Sequence, residues 1–140
     1  HEARIAGRST VTIWGTGTPR REFLFVDDLA DACVFLMRHY DGDEHVNVGT
    51  GEDLSIRELA ELVRDVVAPG LRLEFDASKP DGMPRKRLDV SRLRGLGWRH
   101  RTGLREGIEA TYRWLVAELE TGRVRGWAAG PPVRATRSAS

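Results

Sequence analysis

Two short stretches of this chain carry the side chains with the most distinctive chemistry. The first is Trp14-Gly15-Thr16-Gly17-Thr18-Pro19-Arg20-Arg21. An indole offers a flat face on which a base or a sugar can stack. A guanidinium fork can hold diphosphate oxygens in a bidentate manner that lysine cannot copy. Glycines let a backbone come close to a ligand. The second stretch is Lys79-Pro80-Asp81-Gly82-Met83-Pro84-Arg85-Lys86. Its two prolines restrict the loop and lower the entropic cost of ordering it on a ligand. Asp81 can accept hydrogen bonds from hydroxyls or an amino group, and Arg85 and Lys86 can face phosphate. The candidate binding residues are therefore Trp14, Arg21, Asp81 and Lys86. The same letters also permit a plainer arrangement, a surface hairpin around a half-buried Trp14 and a solvated, proline-stiffened turn.

Other chemistries find no local motif. Gly15-Thr16-Gly17 lacks the third glycine of a dinucleotide fingerprint, and no strand-to-helix crossover follows it directly. There is no Walker loop, no H-E-x-x-H and no cysteine pair for zinc. Neither Tyr40 nor Tyr112 has a lysine four residues later, so a Tyr-x-x-x-Lys proton-transfer pair is absent. His39, His45 and His100 are scattered without ligand spacing, and Asp27-Asp28 reads as a helix cap. No catalytic residue and no metal ligand is assigned.

The elements that must position the two loops alternate between short strands and amphipathic helices. Val11–Trp14 and Glu22–Val26 read as strands. Asp27 then caps a helix whose apolar positions are Leu29, Cys33, Leu36, Met37 and Tyr40. Cys33 is expected in the core. A strand over His45–Val48 ends at Gly49-Thr50-Gly51. Ser55-Ile56-Arg57-Glu58 has the form of a capping box. Behind it Ile56, Leu59, Val63, Val66 and Val67 make a buried stripe, stopped by Pro69-Gly70. Arg72–Phe75 reads as a strand and Ser78–Lys86 as a loop. Ser91 caps a short helix through Leu93. Thr102 opens a last helix with Leu104, Ile108, Thr111, Leu115 and Leu119 on one face, and with Trp114 packed in the core. The order β-β-α-β-α-β-α-α implies an α/β layer. Residues 1–120 form one small domain. From Thr121 the composition turns to Gly, Pro, Ala, Arg and Ser, which predicts a disordered basic tail over residues 121–140.

Bulk properties narrow the classes further. The chain has 140 residues, 40% hydrophobic and 31% charged, a globular mixture. Its formal net charge is +1, but Arg123, Arg125, Arg134 and Arg137 all follow the last acid, Glu120. The body before them is mildly acidic, which argues against a nucleic-acid partner. No apolar run is long enough to cross a bilayer, and the N-terminal residues lack the apolar core of a secretion signal. A single cysteine excludes an internal disulfide framework. These features predict a cytoplasmic protein without membrane contact.

At the two loops the sequence resembles a known family. Residues 14–30, Trp-Gly-Thr-Gly-Thr-Pro-Arg-Arg-Glu-Phe-Leu-Phe-Val-Asp-Asp-Leu-Ala, are similar to the segment after the dinucleotide-binding half of GDP-L-fucose synthases. These are extended short-chain dehydrogenase/reductases. Residues 47–60 and 75–89, with Leu96-Gly97-Trp98 behind them, are similar too. Arg-Glu-Phe-Leu-x-Val-Asp-Asp and Asn-x-Gly-Thr-Gly are shared across nucleotide-sugar epimerases and dehydratases. Trp-Gly-Thr-Gly-Thr-Pro together with Lys-Pro-Asp-Gly-x-Pro-Arg-Lys is narrower. Phe25 stands where His or Tyr is frequent, and Met83 where Thr is common. The resemblance implies the small C-terminal substrate-binding part of such an enzyme, with the NAD(P)-binding Rossmann half missing. It implies a GDP-sugar substrate contacted by Trp14, Arg21 and Asp81, with Lys86 nearby. It also implies NADP bound outside this chain, and a homodimer in the full-length protein. The parent reaction would be NADPH-dependent epimerisation and reduction of GDP-4-keto-6-deoxy-mannose to GDP-L-fucose, with the isolated chain inactive. Two other readings stay open. One is a fragment of another NAD-dependent nucleotide-sugar epimerase or dehydratase, and the other is a stand-alone, non-catalytic nucleotide-sugar-binding module.

Overall fold

The computed structural model of the chain describes residues 1–124. Its elements are α1 (Glu2–Ile5), β1 (Thr10–Trp14), β2 (Arg20–Arg21), α2 (Val26–His39), β3 (Leu54–Ser55), α3 (Ile56–Val67), β4 (Arg72–Asp76), β5 (Arg85–Lys86), α4 (Ser91–Gly95) and α5 (Leu104–Glu120). The architecture is α/β, as the alternation of patterns implies. The five residues of β1 and β4 pair in parallel, Thr10 opposite Arg72 and Trp14 opposite Asp76. A second sheet has the order β3-β2-β5. In it β2 runs antiparallel to β3 and parallel to β5, with two residue pairs in each ladder.

The capping box at α3 forms as expected. Ser55 Oγ accepts from the Glu58 amide at 3.1 Å, and the Glu58 carboxylate accepts from the Ser55 amide at 2.7 Å. Those bonds from Ser55 hold the Glu58 carboxyl below its ordinary range. Helix α3 faces α5. Helix α2 buries Asp28 and Ala32. Ala32 meets Leu93 and Trp98, with Leu24, Phe35, Leu36, Val46 and Val48 around them. The Trp98 indole N–H donates to Asp31 at 2.8 Å, so its polar atom is satisfied inside the core.

Several expectations are corrected. Residues 22–25 join no ladder, and the strand there is Arg20–Arg21. His45–Val48 forms no strand. Val46 and Val48 instead pack against the core from an irregular segment. Three elements go unforeseen: the single-turn helix α1, and β3 and β5, whose two-residue length depends on distant partners rather than on local pattern. Helix α2 starts after Phe25 and has no side-chain cap, so Asp27 does not cap it. Asp28 instead accepts from the amides of Thr102 at 2.9 Å and Arg101 at 3.3 Å, fixing the approach to α5. Burial opposes the charge on Asp28. The two amide bonds outweigh it and keep the carboxyl below its usual range. Val90, not Ser91, occupies the cap of α4, and Gly103 that of α5.

Cys33 is exposed rather than in the core, and so are Leu29 and Met37, the latter 84% exposed. Trp114 is likewise exposed. These side chains are apolar and lie at helical spacing, but nothing among the described residues covers them. Of the expected tail, residues 125–140 lie outside the described residues. Before them, Arg123 forks onto the Glu118 carboxylate at 2.8 and 2.9 Å.

Candidate functional site

The turn after β1 is shaped by two glycines in the left-handed region, Gly15 at φ 87° and Gly17 at φ 79°. The sequence suggests that their small size serves a ligand. In the structure it serves the protein. A side chain on Gly15 would strike the Asp81 carboxylate, and a Cβ on Gly17 would stand 2.5 Å from the Phe75 ring. The backbone of the turn is anchored on α3. The Ile56 amide donates to Pro19 O and the Arg57 amide to Gly17 O, both at 2.9 Å. The Arg57 guanidinium lies 3.7 Å over the Phe75 ring and donates to Thr16 O at 3.0 Å.

Asp81 joins the two candidate loops. Its Oδ1 accepts from the Thr16 amide and its Oδ2 from the Thr16 hydroxyl, both at 2.7 Å. Sequence reasoning gives Asp81 to a ligand, but its first task here is to hold the opposite turn. A carboxylate has about four lone-pair directions, so two acceptor positions remain. The neighbouring Lys79 ammonium sits 5.8 Å from the centre of the Trp14 ring, within cation–π range. The indole is otherwise open, 74% exposed.

The paired strands β2 and β5 place four cations in two rows. Arg20 lies opposite Arg85 and Arg21 opposite Lys86. Successive side chains of a strand point to opposite faces. On one face Asp53 takes both arginines: Arg20 Nε donates to Oδ1 at 2.7 Å and Arg85 Nε to Oδ2 at 2.5 Å. The Asp53 side chain is only 4% exposed. The bonds from Arg85 and Arg20 hold its carboxyl below the ordinary range, and Asp53 raises that of Arg20 in turn. On the other face Arg21 and Lys86 line an open cleft of about 510 Å³ with Phe23, Val48, Gly49 and Leu88. Neither cation has an ion-pair partner among the described residues; Arg21 donates to its neighbour's carbonyl, Arg20 O, at 2.7 Å. The Arg21 guanidinium also approaches Gly82, next to Asp81.

The four candidate residues thus gather around the 79–86 stretch. Lys79 meets the Trp14 ring, Asp81 binds Thr16, Gly82 faces Arg21, and Lys86 pairs in register with Arg21.

GDP-L-fucose synthase 1 of Arabidopsis thaliana is 56% identical over 119 residues, covering 85% of this chain and 37% of that protein. The chain is similar to the GDP-L-fucose synthases. Against GDP-L-fucose synthase of Escherichia coli (strain K12) it is 47% identical over 135 residues, covering 90% of this chain and 41% of that protein. A solved GDP-L-fucose synthetase from Naegleria fowleri bound to NADP superposes with a TM-score of 0.81 at 26% identity, over 88% of this chain and 39% of the other. The family model described as NAD dependent epimerase/dehydratase family matches residues 2–49. The chain spans little more than a third of the length of the curated relatives it matches.

Within this GDP-L-fucose synthase-like segment, sequence reasoning passes over two carboxylates that build the site. Asp53 is one. Glu22 is the other: it accepts from the amides of Gly51 and Leu88, each at 2.7 Å, tying the glycine loop and the end of β5 to β2. The Gly51 amide of the glycine loop 49–51 is therefore turned toward a protein carboxylate. The only sequence signal for these two is their place inside motifs, Arg-Glu-Phe and Gly-Glu-Asp-Leu-Ser. Among the described residues no group of three His, Cys, Asp or Glu is arranged to hold a metal, and no helix is long and apolar enough to cross a membrane.

Proposed function

We propose that this chain is the nucleotide-sugar-binding part of a GDP-L-fucose synthase-like enzyme. The observation that carries the reading is the register of Arg21 beside Lys86, on the ribbon face opposite Asp53. Two cations without carboxylate partners form a recognition surface for a diphosphate, and the exposed indole of Trp14, next to Lys79 of the same 79–86 stretch, offers a stacking face for a base or sugar. In this reading Arg21 and Lys86 take the diphosphate and Trp14 stacks on the guanine or the sugar. Asp81 uses its remaining acceptor positions on ligand N–H or O–H groups.

The parent activity in this proposal is NADPH-dependent epimerisation and reduction of a GDP-4-keto-6-deoxy sugar. The cofactor and the proton-transferring groups belong to a Rossmann half outside this chain. Residues 1–120 are the substrate-binding part of a cytoplasmic enzyme that works as a homodimer. Support for a covering half comes from the apolar surface. A groove of about 700 Å³ between α3 and α5 is lined by Leu59, Val63, Leu104, Ile108 and Leu115 and stands open.

Titration calorimetry of the 140-residue chain with GDP and with UDP tests the reading. GDP is expected to bind, and UDP more weakly. Arg21→Ala is expected to cost ~1.5–3 kcal/mol of GDP affinity, the range for losing a charged hydrogen-bonding partner. No GDP binding, or equal affinity for UDP, would overturn the assignment to GDP-sugars. Addition of NADPH and the keto sugar to the chain alone is expected to give no turnover.

A further inference from the structure

We infer that Asp53 is a positioning residue for diphosphate recognition, setting which pair of cations on the β2–β5 ribbon faces the ligand. The inference rests on the functional reading above and deepens it. Asp53 stands just before β3, in the segment that leads into α3 through Ser55. Its carboxylate is almost fully buried between two guanidinium groups and receives one Nε–H on each oxygen. Its backbone carbonyl takes a third bond, from Arg20 Nη2 at 2.9 Å.

Glu22 on the Leu88 amide, the Arg20 amide on Pro84 O and an Arg20–Glu58 ion pair at 3.5 Å also hold the ribbon, but its ladders are short. Each ladder contains two residue pairs, and the cross-strand partners are Arg20 with Arg85 and Arg21 with Lys86. Like charges directly opposite one another on paired strands are destabilising. Asp53 turns one such pair into a charge-assisted clamp, and alternation along the strands then sends Arg21 and Lys86 to the far side. Glu22 lines the same cleft, but it holds the Gly51 and Leu88 amides and the Thr50 hydroxyl and makes no ion pair with Arg21 or Lys86. Bonds to both ribbon strands hold Asp53 in its charged form, in keeping with a fixed rather than a titrating role.

Two readouts on the whole 140-residue chain test this. The first needs no ligand. Asp53→Asn keeps the shape and removes the charge, and amide hydrogen exchange over residues 19–22 and 84–88 is expected to accelerate by at least about tenfold while α3 keeps its protection. The second is GDP affinity, expected to fall by about tenfold or more, the scale for losing charge-assisted hydrogen bonds. In the double variant Asp53→Asn/Arg21→Ala the loss should be clearly smaller than the sum of the two single losses, because the clamp acts in part through Arg21. Should Asp53→Asn unfold the chain, Arg85→Gln cuts one arm of the clamp and is expected to give the same two changes at smaller size. Unchanged exchange, or faster exchange with unchanged GDP affinity, overturns the inference. Additive losses in the double variant overturn it as well. Absence of GDP binding by the wild-type chain overturns the functional reading instead, and the exchange measurement still decides whether Asp53 holds the ribbon.

Discussion

The ribbon end of the molecule and its helical side are finished to different degrees. At the ribbon end three carboxylates have partners within the chain. Asp53 holds two arginines, Asp81 holds Thr16, and Glu22 holds Gly51 and Leu88. On the helical side apolar groups stand without cover. The outer face of α2 shows Val26, Leu29, Cys33 and Met37, and the groove between α3 and α5 is open. Polar groups that bind at short range can be satisfied within a small chain. Apolar area can be satisfied only by more polypeptide. The contrast teaches that this chain satisfies its polar groups at one end by itself and leaves apolar area open at the other. Helix α2 shows it within one element, with Ala32 in the core on one face and Met37 in water on another.

The comparison can be broken from the inside outward. Trp98→Ala removes the largest side chain of the covered core and leaves Asp31 without its N–H donor. It is expected to destabilise by about 3–5 kcal/mol, read by chemical denaturation. A much smaller loss would mean that the inner face of α2 is no better packed than the outer one. Ser55→Ala removes the cap that links the ribbon to α3, and an expected loss of ~1 kcal/mol in the same measurement sharpens the claim that local polar bonds complete this end. Met37→Asp should change the stability of the isolated chain by no more than about 0.5 kcal/mol, because the side chain already meets water. The same variant should weaken joining to the remaining segment of a GDP-L-fucose synthase supplied in trans, read by co-purification. Strong destabilisation of the isolated chain by this change would show that the face is covered after all.

Legibility of the sequence follows the same divide. The start of α3 is legible because Ser55 and Glu58 complete each other within one turn. The parallel partners β1 and β4 are legible from runs of strand-forming residues. The ribbon is not, since pairing Arg20 with Arg85 requires a fold that no local window contains. Periodicity marks the apolar faces of α2 and α5 correctly but does not say which of them this chain covers, so Cys33 and Trp114 are expected inside and stand outside. Trp14, Arg21, Asp81 and Lys86 are legible as a group through the two motifs. The hold of Asp81 on Thr16 is not, because an aspartate in a loop looks the same whether it faces a ligand or another turn.

The two-residue ladder between β2 and β5 has one more implication. Both rungs carry a pair of cations, yet sliding β2 by one position changes what stands at the cleft beside Lys86, to Arg20 in one direction and to Glu22 in the other. A one-residue insertion among residues 15–19 would therefore offer the cleft Arg20, now locked by Asp53, whereas a one-residue deletion would offer it the Glu22 carboxylate. The frame of the turn, more than the number of basic residues, decides which guanidinium meets the solvent of the cleft.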